Sequence, residues 1–130
     1  MKKDNKGFSL VELIIVIAIM AVLVGLLAPQ YLKYVENSKV STDVSNAQEV
    51  ATAINVAFAD DNGSFKSGMH PTVLPDGKSL PALKATGGAG KTMYVEIDVN
   101  GVSKISAGTG GEELWPDPKS TNGYYTKNHK

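Results

Sequence analysis

From Phe8 to Ala28 the chain runs for twenty-one residues whose single charge is Glu12, and the sixteen residues from Leu13 onward carry none. Wound as a helix at about 1.5 Å per residue, such a stretch spans roughly 30 Å, the thickness of a bilayer hydrocarbon core. A chain of 130 residues supplies one small domain and a long extra element, but not a core large enough to enclose a helix that is apolar all round. The segment therefore needs lipid or other protein around it. Lys2, Lys3 and Lys6 precede it against Asp4 alone, while Lys33 and Lys39 follow. That bias favours a cytoplasmic N-terminus with the bulk of the chain outside. A cleaved secretory signal would also begin basic and apolar, but it needs a small-x-small site after the run. Here the run closes on Leu26-Leu27-Ala28-Pro29, and a proline directly after the nominal cleavage point makes a poor site.

The pattern divides the chain into a polar leader (1–7), an apolar helix (8–29) and an amphipathic helix with a small globular head (30–130). Pro29 removes one helical hydrogen bond and Gly25 weakens the turn before it, so a bend is expected there. Beyond it Val40, Val44, Ala47, Ala51, Ile54 and Phe58 recur at steps of four and three, with Asp43, Asn46, Gln48, Glu49 and Asn55 assigned to other faces. Asp60-Asp61-Asn62-Gly63 is the expected stop. Helix from residue 8 to about 59 would be on the order of 80 Å long, wider than a globule of this size, so its first half should protrude.

Residues 63–92, with Pro71, Pro75 and Pro81, read as a loop-rich connection. Met93–Val99 and Val102–Ser106 then form a hairpin. A three-residue loop, Val99-Asn100-Gly101, is preferred because it sets Val95 against Ile105 and Glu96 against Lys104, pairing like with like and charge with charge. A further short strand is expected around Tyr124 and Tyr125. The fold class is α+β: a long bent N-terminal helix packed on a small antiparallel sheet of three or four strands.

Thirteen basic and thirteen acidic residues leave no net charge, and nothing marks a basic face, so nucleic acid is not the expected partner. Without cysteine there is no disulfide, thiolate metal site or cysteine nucleophile. His70 and His129 stand in no metal-ligand spacing and no nucleophile set accompanies them. Ala85–Thr92 approximates a phosphate-binding loop but lacks the buried strand before it and the helix after it, so a glycine turn is the better reading. Asp60, Asp61 and Asn62 lack calcium-loop spacing, and Asn62-Gly63-Ser64 has the form of a glycosylation sequon. Trp115, Tyr124 and Tyr125 are assigned to the core or a subunit interface rather than to an adhesive patch. No enzyme, cofactor or metal is expected.

Glu12 is the most informative residue. A carboxylate one turn into a membrane-length helix marks either a function or an interfacial group that reaches back to water, and the residues alone leave both open. Lys6-Gly7-Phe8-Ser9-Leu10-Val11-Glu12-Leu13 resembles the processing motif of type IV prepilins and pseudopilins, with leader, junction, acid and apolar run at the family's spacing. The resemblance implies cleavage after Gly7 and N-methylation of Phe8, with Glu12 neutralising the N-terminal amine of a neighbouring subunit. It further implies that Gly25 and Pro29 let the helix bend or locally unwind in a filament. Partners implied are further copies of the chain, a prepilin peptidase, an assembly ATPase and a platform membrane protein, with cytoplasmic membrane lipid before assembly. Asp117 loosely resembles the calcium-binding tail of major pseudopilins, and the absence of cysteine departs from the many pilins with a C-terminal disulfide.

The function so implied is a structural subunit of a type IV pilus, anchored in the cytoplasmic membrane as a precursor and extracellular once assembled. Alternatives within the family are a minor or competence pilin, or a type II secretion pseudopilin. Outside it stands a membrane-anchored binding protein that never polymerises, which would keep its leader and tolerate Glu12→Ala.

Overall fold

The computed structural model describes residues 7–60 and 65–128. The lysines of the leader, the sequon at Asn62 and His129 lie outside the described residues. The chain divides into two compact units with the boundary between Tyr34 and Val35. A single helix, α1 (Leu10–Ala59), contributes to both and is unbroken at Pro29. It ends at Ala59, directly before the expected stop at 60–63, of which Asp60 alone is described, its N–H closing the last turn on the Val56 carbonyl.

In the first unit every apolar side chain of α1 is exposed. In the second, α1 shares one core with the sheet and the C-terminal segment. Val40, Ala47, Val50, Ala51 and Ile54 are buried against Val95, Ile97, Ile105, Leu114 and Tyr124. Each large aliphatic group so enclosed contributes about 1.5–3 kcal/mol of hydrophobic stabilisation. The buried stripe is 40, 43, 47, 50, 51 and 54, with Val44 and Phe58 packed at its margin. Asp43 was expected on a polar face and instead sits in the middle of the apolar one, fully buried. Helical geometry puts it there, because 40, 43 and 47 are as much one face as 40, 44 and 47.

Strands β1 (Met93–Asp98), β2 (Gly101–Ala107) and β3 (Glu113–Trp115) form an antiparallel sheet in sequence order. Met93, Val95 and Ile97 alternate inward along β1, as period two requires. Val95 faces Ile105 and Glu96 faces Lys104 as expected, but the turn differs. Ile97 pairs with Val102 and Asp98 with Gly101, leaving Val99-Asn100 as a two-residue loop and a bulge between Glu96 and Ile97 in the register. Two side chains fix this arrangement. Asp98 Oδ1 accepts Asn100 N–H at 2.7 Å, and Asn55 Oδ1, from α1, accepts Val102 N–H at 2.7 Å. Gly101, at φ 118°, has no room for a Cβ beside that Asn55 oxygen. The amide from the helix therefore sets the turn, which hairpin rules applied to the strands alone do not consider.

The outer edge of β1 is covered by the preceding loop. Gly68 N–H donates to the Ile97 carbonyl at 2.8 Å, and His70 Nδ1 lies 3.0 Å from the Val95 carbonyl with its ring stacked on Tyr94. An edge strand left open would invite pairing with another chain.

The strand expected around Tyr124 and Tyr125 is instead a short helix, α2 (Tyr124–Asn128). Tyr125 and Thr126 both donate N–H to the Pro118 carbonyl, and Lys127 N–H closes on Gly123. Two adjacent tyrosines cannot both face the core from a strand. The helical turn buries Tyr124 completely and leaves Tyr125 half-buried against the core.

Candidate functional site

Gly7 is an exposed bend and Phe8, 75% exposed, precedes the first helical residue. The Gly7–Phe8 peptide thus lies outside α1. A Cβ at Gly7 would meet nothing within 4 Å, so the fold of this chain does not itself require glycine there.

Two residues further on, Ser9 and Glu12 satisfy each other across the first turn. Ser9 N–H donates to Glu12 Oε2 at 2.9 Å, and Glu12 N–H donates to Ser9 Oγ at 3.2 Å. This capping box provides for two backbone donors that the helix start would otherwise leave without partners. It also places a negative charge at the positive end of the helix dipole. Glu12 therefore has work within its own subunit, which the sequence reading missed. The signal was present, since Ser-x-x-Glu directly before an apolar run is the pattern of such a box. A carboxylate has lone pairs for about four hydrogen bonds, so capping Ser9 leaves acceptor capacity for a cation.

From Leu10 to Leu27 the helix shows lipid-like side chains on every face, and none of its most apolar eighteen-residue window is buried. Soluble monomers do not leave so large an apolar surface uncovered. At Pro29 the missing N–H leaves the Gly25 carbonyl without its usual donor. A Cβ at Gly25 would meet nothing within 4 Å, so packing within the subunit does not demand glycine.

In the head, Asp43 organises three segments distant in sequence. Its Oδ1 accepts Lys84 N–H at 2.8 Å, and its Oδ2 accepts Ala85 N–H at 2.9 Å and the Tyr124 hydroxyl at 2.7 Å. Three donors make an otherwise costly buried carboxylate tolerable. Burial raises the Tyr124 pKa well above the usual tyrosine range, and its hydrogen bond to Asp43 and the negative charges of Asp43, Glu112 and Glu36 raise it further. Gly88 completes the cluster, because a Cβ there would clash with the Tyr124 hydroxyl and Leu83. The glycine-rich segment holds a single 3-10 turn, Thr86–Gly88, and accommodates a tyrosine rather than a phosphate. In this cysteine-free chain the carboxylate ties the C-terminal segment to α1.

The remaining candidates have structural roles. His70 covers the sheet edge, Trp115 packs partly buried on the core, and Asp117 Oδ1 accepts Lys119 N–H. Among the described residues no three His, Cys, Asp or Glu side chains gather to hold a metal ion.

A membrane-length apolar helix, capped just after an exposed glycine and continuing into a small α+β head, defines a class of subunit built on one long N-terminal helix. The model for the prokaryotic N-terminal methylation motif matches residues 2–28. The type IV major fimbrial protein FimA of Dichelobacter nodosus is 34% identical over 113 residues, covering 82% of this chain and 72% of that one. FimA of strain VCS1703A is 29% identical over 89% of this chain and 76% of its own. A fimbrial protein of Pseudomonas aeruginosa is 38% identical over 58 residues, 45% of this chain and 38% of its own. No solved structure gives a significant match. The chain belongs to the type IV pilin family.

Proposed function

We propose that this chain is a structural subunit of a type IV pilus filament, made as a membrane-anchored precursor that is cleaved after Gly7 and methylated on the new N-terminal nitrogen of Phe8. The observation that carries the reading is the junction itself. The Gly7–Phe8 peptide stands outside a helix that is capped at Ser9 and then apolar on all faces. A peptidase must draw its substrate into an extended conformation, and a bond placed before the cap is reached without unwinding α1. Hydrolysis by water leaves the leader with a carboxylate and Phe8 with an amine, whose nitrogen then takes a methyl group from a separate sulfonium-type methyl donor, the donor leaving as a neutral thioether and the nitrogen giving up a proton.

The apolar helix first stands in the cytoplasmic membrane with the head outside. On assembly it exchanges lipid for the helices of other copies. Because lipid is as apolar as leucine, this exchange has little hydrophobic driving force and relies on packing and polar pairing. Glu12 supplies the pairing. Its free acceptor capacity meets the Phe8 amine of a neighbour, and since each charge alone would be expensive in a helix bundle, the pair fixes the axial register. A bend at Gly25 and Pro29 lets the helix follow the filament. An assembly ATPase and a platform membrane protein supply the work of extraction.

Intact mass and N-terminal analysis of the protein sheared from its native surface tests the reading. A chain beginning at N-methylated Phe8 is expected. Functional surface material that still begins at Met1 would falsify it.

A further inference from the structure

The first unit ends in Tyr31-Leu32-Lys33-Tyr34, a group that neither the processing junction nor the apolar run accounts for. Tyr31 and Tyr34 are 66% and 71% exposed and stand three residues apart, on one face of α1. Tyr31 lies nineteen residues after Glu12, with no ionisable side chain between them. That separation is ~28 Å at the helical rise and matches the thickness of a hydrocarbon core. The polar Ser9 and Glu12 thus stand one hydrocarbon thickness from the first tyrosine. Two residues past Tyr34, Glu36 already accepts the Thr86 N–H and belongs to the head. The tyrosines are therefore confined to the short stretch between apolar helix and folded domain. A phenol ring with an apolar body and a polar tip suits the layer between acyl chains and water, and a lysine stem beside it reaches the anionic headgroups.

We propose that Tyr31, Lys33 and Tyr34 form the outer interfacial anchor of the precursor, seated in the headgroup layer of the membrane and fixing how deep α1 stands. The proposal rests on the reading that α1 spans a bilayer. It separates the helix into a part that lipid must surround and a short collar that lipid must only touch. The two rings, about 4.5 Å apart along the axis and so within one turn, resist sliding in either direction. Moving inward buries the hydroxyls, and moving outward exposes the ring bodies.

The test uses the full-length precursor in vesicles of phosphatidylethanolamine and phosphatidylglycerol containing lipids brominated at shallow or deep acyl positions. Trp115→Phe removes the background fluorophore, and Ile19→Trp, Tyr31→Trp or Tyr34→Trp then reports depth. The Ile19→Trp probe should be quenched mainly by deep bromines, and the other two mainly by shallow ones. In a Tyr31→Ser, Tyr34→Ser background, the ratio of deep to shallow quenching at Ile19→Trp should change, because the helix is then free to slide. If Ile19→Trp is quenched while Tyr31→Trp and Tyr34→Trp are not, or respond to deep bromines, the anchor is wrong and the span stands. An unmoved Ile19→Trp signal in the serine background also overturns the anchor. If Ile19→Trp itself escapes quenching, the spanning reading fails and the anchor with it.

Discussion

The two halves of α1 are one secondary structure with two opposite relations to their surroundings. From Leu10 to Leu27 no side chain finds a partner in the subunit's interior, whereas from Val40 to Ile54 the helix carries the core of the head. Helix propensity does not distinguish them. The difference lies in what each half has to bury. The first is apolar on every side and awaits lipid or other copies. The second has one apolar stripe with a carboxylate at its centre. Each half also carries one consequential acid: Glu12 is capped but left accessible, and Asp43 is enclosed and fully occupied.

The sharpest way to break this contrast is to neutralise each acid separately. Glu12→Gln retains an acceptor for the Ser9 N–H and so preserves the cap, but removes the charge. Under the proposed pairing with a neighbour's Phe8 amine, filament yield in sheared surface fractions should collapse, because each intersubunit contact would then leave a buried ammonium unpaired at about 3–5 kcal/mol. Head stability should not change. Normal filaments from Glu12→Gln would mean that capping is its whole role.

Asp43→Ala should do the reverse. It leaves two backbone N–H groups and the Tyr124 hydroxyl without an acceptor, and should cost the head about 3–5 kcal/mol in urea unfolding. Membrane insertion of the first half should be unaffected. A smaller loss, ~2 kcal/mol, is expected of Tyr124→Phe, which removes one charged hydrogen bond and keeps the ring.

The same tyrosine gives the head an alkaline limit. Its pKa is raised by folding above the unfolded value of 10.0, so the folded state holds its proton where the unfolded state has lost it. That contribution is fully present below pH 10 and declines as pH rises beyond it. Unfolding followed from pH 8 to 11 should show the decline in the parent chain and a weaker one in Tyr124→Phe.

The smallest effect belongs to the apolar half. Gly25→Ala has room in the subunit and should favour the helix by no more than ~1 kcal/mol. Any large loss of filaments from this change would locate the need for glycine in the assembled helix bundle rather than in the chain.

Much of this organisation was legible as sequence. The apolar run, the stop after Ala59, the hairpin and the pairing of Val95 with Ile105 all follow from local pattern. What escaped depends on contacts between distant segments. The turn at Val99-Asn100 is set by Asn55 through Val102, forty-seven residues away, and the fate of Tyr124 is set by Asp43, eighty-one residues away. The capping box at Ser9 was an omission of a different kind, since its pattern is local and readable.

The sequence by itself determined that a helix of bilayer length, apolar on every face, is not enclosed by the head that follows it, because a small α+β head buries one helical stripe and not a whole helix. It also carries Gly7, Phe8 and a single acid one turn beyond them, in the order that resembles a prepilin processing motif. Only the tertiary structure decided that Asp43 belongs inside. A carboxylate at that position is either a solvated face or a buried tie, depending on whether backbone donors from residues 84 and 85 and a hydroxyl from residue 124 arrive together. Periodicity carries no record of those donors, and three of them outweigh the cost of removing the charge from water.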